Sequence, residues 1–253
     1  MAMGAGSDLI LLSNSSVFGR GYLEHAIDAI GDFLGSRKTV HFAPYALADH
    51  DDYSGRARTA LSAVGAEVIG LHTFPNPAAA LEQAEVLFVG GGNSFRLLKA
   101  LHGHGLIEVV RRRVAAGELS YMGSSAGTNM ACPEVRTTND MPIVEPPSFQ
   151  SFGLIPFQIN PHYLDPDPAS THMGETREKR IHQFHEENDV AVLGMREGSW
   201  LRRKGDDLTL EGTTGARLFR AGQAEEEFVD GADLSFLLGL PARFDSRAEK
   251  VNA

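Results

Sequence analysis

Short apolar runs that alternate with helical patterns predict an α/β fold, a doubly wound, mostly parallel sheet with helices on both faces, followed by C-terminal antiparallel strands. Three observations carry this. Through the first half of the chain each strand-like run is followed by a stretch of helical period. The runs are apolar on both faces, as strands covered on both sides by helices must be. After about residue 190 the pattern shifts to short strands divided by turn residues, as in an antiparallel meander.

In order, "DLILLS" (8–13) reads as a buried strand. Leu23, Ala26, Ile27, Ile30 and Leu34 then recur at helical spacing. "TVHFAPY" is a second strand, stopped by Pro44. In "DDYSGRARTALSAVG", Tyr53, Ala57, Ala60, Leu61 and Val64 share one helical face, which ends at Gly65. "EVIGLH" is a third strand. Asn76-Pro77 is a cap with a first-turn proline, opening the helix "AAALEQA". "EVLFVG" is a nearly all-apolar strand that runs into Gly90-Gly91-Gly92. The long segment "SFRLLKALHGHGLIEVVRRRVAAG" is helical with a break at Gly103 or Gly105, and "LSYMG" is one more strand. "VAVLGM", "WLRRKG", "LTLEGT" and "ARLFRAG" supply the late strands. One domain is expected over residues 1–253, with about 242–253 a flexible tail.

Composition narrows the function. The net charge of -10 disfavours a nucleic-acid partner, which needs a basic face. No apolar run approaches a membrane span, so no membrane partner is expected. "DLILLS" lacks the length and basic flank of a signal peptide, so the expected location is the cytoplasm. The single cysteine, Cys132, allows no internal disulfide and reads as a small buried hydrophobe.

Ligands of open parallel sheets bind beyond the carboxyl ends of the strands, and two turns there stand out. "VGGGNSF" offers backbone N–H groups with no Cβ in the way, though a plain glycine turn explains it equally well. It has the spacing of neither a P-loop nor a dinucleotide fingerprint. "GSSAG" (123–127) lies between a strand and a helix, the context of a G-x-S-x-G nucleophile elbow. Gly123 and Gly127 flank Ser125 symmetrically, so Ser125 is the candidate nucleophile and Ser124 the variable neighbour. The Ala126 N–H then points toward a developing oxyanion. A serine needs a base. Of 10 histidines, His102, His104, His182 and His185 read as solvated. His162 ends the apolar run "FGLIPFQINPH", where a strand delivers it to a loop, although on its position alone an ordinary turn histidine is the better reading. His185-Glu186-Glu187 is not an H-E-x-x-H site, and no metal or other cofactor is called for. From these residues alone, Asp140 and Glu197 are both candidates for the acid behind the base.

The segments "LLSNSS", "VGGGNSFRLLK", "GSSAGTNMACPEVRTTNDMPIV", "INPHYLDPD", "GETREKRI" and "REGSWL" resemble, in order and spacing, the peptidase E family of alpha-aspartyl dipeptidases. These are serine hydrolases with a fold like that of class I glutamine amidotransferases. "GSSAGTN" is similar to the animal-type branch of the family. The resemblance implies Ser125 as nucleophile, His162 as base and Glu197 as the orienting acid. It implies an oxyanion hole from the N–H groups of Gly92 and Ala126. It also puts Asp140 near the substrate's amino end, Arg177 on its aspartyl carboxylate and Asn93 among the substrate-binding residues. An arginine fork suits a carboxylate, and an aspartate suits an ammonium.

The expected activity is therefore hydrolysis of Asp-Xaa dipeptides through an acyl-enzyme. The expected partners are small dipeptides, and a homodimer is left open. Two rivals stand beside it: a related serine peptidase with a β-aspartyl, cyanophycin-like substrate, and a catalytically silent sensor of small acidic ligands.

Overall fold

The computed structural model describes residues 6–169, 171 and 173–246. Its larger sheet contains β1 (Asp8–Leu12), β2 (Thr39–Ala43), β3 (Glu67–Gly70), β4 (Val86–Val89) and β5 (Ser120–Ser124). These five run parallel in the order β3-β2-β4-β5-β1. A smaller sheet begins with β6 (Gln158–Asn160) and β7 (Val192–Met195), which pair in parallel. The later strands are antiparallel, as expected, but do not form one meander. β8 (Ser199–Lys204) and β9 (Asp207–Gly212) extend the larger sheet beyond β1. β10 (Ala216–Phe219) and β11 (Glu226–Phe228) complete the smaller one in the order β11-β10-β7-β6. Short strand runs reveal local period, whereas sheet membership depends on distant partners.

Helices cover both faces of the larger sheet. Ile10, Leu12, Phe42, Phe88 and Met122 point to the side of α1 (Ile27–Leu34) and α2 (His50–Leu61), where they pack with Ile30, Phe33, Tyr53 and Leu61. The alternate residues Leu9, Leu11, Leu87, Val89 and Tyr121 meet α3 (Pro77–Leu81), α4 (Ser94–Gly103), α5 (Leu106–Ala115) and α6 (Ala126–Ala131). The strand period of two thus divides the strand side chains between two cores. Local signals set the ends: the Asn76 side chain accepts from the Ala79 N–H ahead of Pro77. The long helical segment breaks across 104–105, where Gly105 takes a positive φ of 66°. A last helix, α7 (Arg177–Glu187), is capped by Thr176, whose Oγ1 accepts from the Lys179 N–H.

The stretch from 242 onward begins attached to the body. Asp189 and Arg243 form a β-bridge, and Arg136 holds Asp245 through two hydrogen bonds of 2.7 and 2.9 Å. Residues 247–253 lie outside the described residues. No helix among those described is long and apolar enough to cross a membrane.

Candidate active site

β5 ends at Ser124, and the chain turns through Ser125 into α6. Ser125 has φ 54° and ψ -113°, a conformation that costs a non-glycine residue free energy and persists only where its surroundings enforce it. The flanking glycines show why. A Cβ on Gly127 would lie 2.0 Å from the Val89 carbonyl oxygen, and one on Gly123 would lie 2.7 Å from the Gly127 oxygen. The Tyr121 hydroxyl donates to that same Gly127 oxygen at 2.6 Å. The Ser125 N–H donates to the Leu12 carbonyl at 3.0 Å. The two serines are thereby separated. Ser124 is still a strand residue, completely buried and in the same alternation as Met122. Ser125 stands at the apex.

The Ser125 hydroxyl lies 2.8 Å from His162 Nε2, and His162 Nδ1 lies 2.6 Å from Glu197 Oε1. The three residues come from different places. His162 follows β6 with a positive φ of 53°, and Glu197 lies in the turn between β7 and β8. Thr214 Oγ1 holds that turn by donating to the Glu197 carbonyl at 2.7 Å. The sequence left Asp140 and Glu197 as rivals, and the imidazole meets Glu197.

Asp140 is occupied elsewhere: its Oδ2 accepts from the Ser94 N–H at 2.7 Å and the Ser94 hydroxyl at 2.6 Å, at the start of α4. Its neighbours in "TTND" brace the histidine loop. Thr137 Oγ1 donates to the Ile159 carbonyl at 2.9 Å, and Asn139 Nδ2 donates to the Pro161 carbonyl at 2.7 Å. Asn93 is a helix cap. Its Oδ1 accepts from the Arg96 N–H and its Nδ2 donates to the Met141 carbonyl, so most of its hydrogen-bonding capacity is structural.

Gly92 and Ala126 lie at the two helix starts around Ser125. Ala126 is the first residue of α6, where an N–H has no carbonyl four residues back. Gly92 has φ 128°, and a Cβ there would come within 2.8 Å of the Ala46 oxygen. Neighbouring Gly91 is close enough that its Cβ would lie 3.0 Å from that of Ser125, so the glycine loop abuts the elbow.

Arg177 opens α7 and shares a cleft of about 380 Å³ with Leu164, Asp165 and Arg180, starting two residues beyond His162. Burial and then the like charge of Arg180 push its pKa down, while Asp140 works in the opposite direction. Among the described residues no carboxylate lies within ion-pair distance of its guanidinium.

Other expectations resolve outside the site. Cys132 is fully buried, and burial pushes its thiol up to about 12. His185, expected in solvent, is instead buried with Nε2 2.9 Å from the Val190 carbonyl; a polar helix concealed one inward-facing position. His182 stands with Glu178 and Glu225 in a surface group of metal-ligand type. Glu178 is already paired with Arg217 at 3.1 Å, and ion pairing accounts for the group.

Residues 9–211 match Peptidase family S51. The chain is 60% identical to peptidase E of Streptomyces coelicolor over 94% of its own length and 98% of the relative's. It is 48% identical to a Drosophila melanogaster protein named "Probable alpha-aspartyl dipeptidase", over 93% and 99%. The crystal structure of a peptidase from an acI-B1 actinobacterium superimposes with a TM-score of 0.66 at 16% identity, covering 93% of this chain and 99% of that one. At that identity the likeness concerns the fold.

Proposed function

The chain belongs to Peptidase family S51, and from that premise we propose that it is a serine dipeptidase that hydrolyses Asp-Xaa dipeptides through a Ser125 acyl-enzyme. The observation that carries the reading is the continuous contact from Ser125 Oγ through His162 to Glu197, at 2.8 and 2.6 Å. A serine in strained backbone geometry, a base within hydrogen-bond reach and a carboxylate behind it form the general arrangement of an activated nucleophile.

His162 Nε2 takes the Ser125 proton as Oγ attacks the peptide carbonyl. Glu197 accepts the Nδ1 hydrogen bond and stabilises the imidazolium. The N–H groups of Gly92 and Ala126 receive the oxyanion. Collapse of the tetrahedral species returns the proton to the leaving amine and leaves an aspartyl ester on Ser125. Water, deprotonated by His162, then releases aspartate.

Arg177, a half-buried cation with no paired carboxylate among the described residues, takes the substrate's side-chain carboxylate. Asp140, whose Oδ1 is left free of the Ser94 contacts, takes the α-ammonium. The name of the Drosophila melanogaster relative supports this substrate class. The test is a panel of Asp-Leu, Glu-Leu, Asn-Leu and β-Asp-Leu, with Ser125→Ala as control. Cleavage of Asp-Leu alone is expected. Cleavage of the β-linked peptide in preference would replace this reading with the β-aspartyl one.

A further inference from the structure

The three residues of the proposed triad hang on different parts of the fold. Ser125 follows β5 of the larger sheet, His162 follows β6 of the smaller one, and Glu197 sits where the chain crosses from β7 to β8. Something must hold the two sheets in register at this point, because an error of about 1 Å in reacting geometry can cost on the order of 10²-fold in rate.

Three consecutive residues at the carboxyl end of β1 meet all three supports. β1 lies between β5 and β8, with Leu12 opposite both Ser124 and Trp200, so the chain leaving it runs between the nucleophile turn and the Glu197 turn. The Leu12 carbonyl accepts the N–H of Ser125 at 3.0 Å and the Thr128 hydroxyl at 2.6 Å. The Ser13 hydroxyl accepts the N–H of His162 at 2.9 Å and donates to the Met195 carbonyl at 2.8 Å. It therefore joins the base's backbone to the end of β7, two residues ahead of Glu197. Asn14 Oδ1 accepts the N–H of Gly198, next to Glu197, at 2.9 Å, while Asn14 Nδ2 donates to the Ser16 carbonyl at 2.7 Å. Ser13 and Asn14 are fully buried, and these side-chain hydrogen bonds all go to backbone atoms.

We propose that Ser13 and Asn14 are positioning residues that set the His162 and Glu197 side chains against Ser125, each through a hydrogen bond to the neighbouring backbone. Their polar atoms touch no reacting group, so they act on the rate of attack and leave substrate affinity to Asp140 and Arg177. The inference rests on the serine mechanism proposed above.

The experiment measures the labelling rate of Ser125 by a small neutral fluorophosphonate, alongside kcat and KM for Asp-Leu, in Ser13→Ala and Asn14→Ala. Labelling and kcat are expected to fall together by roughly 10- to 100-fold with KM unchanged. Asn14→Ala should also lose most of its effect in a Glu197→Ala background, because two residues that act through one contact are not additive. Equal factors in both backgrounds would overturn the role of Asn14. Wild-type labelling rates in both single variants would overturn the whole proposal. Ser13→Cys, which keeps the side-chain shape with a somewhat larger atom and weakens the hydrogen bonds, applies the same test should the alanine variants not fold; it is expected to slow labelling, and an unchanged rate counts against Ser13. A wild-type enzyme that does not label strikes the serine mechanism instead, so the two failures are separate.

Discussion

Replacing Arg177 with methionine tests the proposed substrate recognition apart from catalysis. The guanidinium is half-buried at the first position of α7, where the helix dipole disfavours a cation and Arg180 adds like charge. Asp140 supplies the attraction, yet it lies outside ion-pair distance. The unliganded protein therefore holds a cation at some electrostatic cost, which a substrate carboxylate would relieve. Removing one partner of a buried charge-assisted pair costs about 2–5 kcal/mol. Partial exposure places Arg177 at the low end, so kcat/KM for Asp-Leu should fall by about 30-fold, the equivalent of ~2 kcal/mol. Two further readouts have the opposite expectation. The melting temperature of Arg177→Met should hold or rise, since an uncompensated cation leaves a helix N-terminus. Labelling of Ser125 by a neutral fluorophosphonate should match wild type, since that probe carries no carboxylate. Steady-state kinetics, a thermal melt and a labelling time course on one preparation give all three. Unchanged Asp-Leu cleavage would refute the recognition argument. A fall in melting temperature with labelling lost would make Arg177 a structural residue.

Ser125→Ala should lower kcat by about 10⁴-fold or more, whereas Ser124→Ala, at a buried strand position, should retain most activity; equal losses in a dipeptide assay would refute the register assigned to the elbow. Glu197→Gln should slow fluorophosphonate labelling strongly, while Asp140→Asn should leave labelling intact and raise KM for Asp-Leu; the reverse pattern would exchange the two roles. Burial depresses the pKa of His185, so its neutral form stabilises the fold at neutral pH, and that contribution is lost as pH falls below the ordinary histidine value of about 6.5. His185→Gln, which keeps a donor for the Val190 carbonyl, should flatten the loss of melting temperature between pH 7 and pH 5 by up to one proton's share, at most about 1.4 kcal/mol per pH unit. Parallel curves for variant and wild type would show that His185 does not titrate with unfolding.

The parts of the fold legible in the sequence are those set by near neighbours. An apolar run such as "EVLFVG" specifies a strand covered on both faces, and Asn76-Pro77 specifies a helix start, because the interactions responsible span a few residues. The elbow's pattern was legible because Gly123, Ser125 and Gly127 lie within five positions, although the contact that demands glycine at 127, to the Val89 oxygen, comes from the neighbouring strand β4, far away in sequence. The division of the late strands between two sheets was not legible. Neither "VAVLGM" nor "WLRRKG" names its partners: one pairs with β6 and β10 and the other with β1 and β9, and only long-range packing chooses.

The same distinction runs through the site. His162 and Glu197 are 35 positions apart, and neither carries a local mark that separates it from an ordinary turn residue. The family resemblance supplied their pairing, and the 2.6 Å contact supplies a physical ground for it. Ser13 and Asn14 were missed altogether, although "LLSNSS" is a visible signal: small polar residues at the carboxyl end of an all-apolar central strand. Such residues have no strand partner of their own kind and must satisfy buried donors and acceptors from other segments. At the carboxyl end of a parallel sheet those other segments are the turns that carry the chemistry. A polar residue immediately after a central strand is therefore a candidate support for an active site before any nucleophile is identified, and here the support reaches the backbone N–H of the proposed base, His162, and that of Gly198 beside its proposed carboxylate, Glu197.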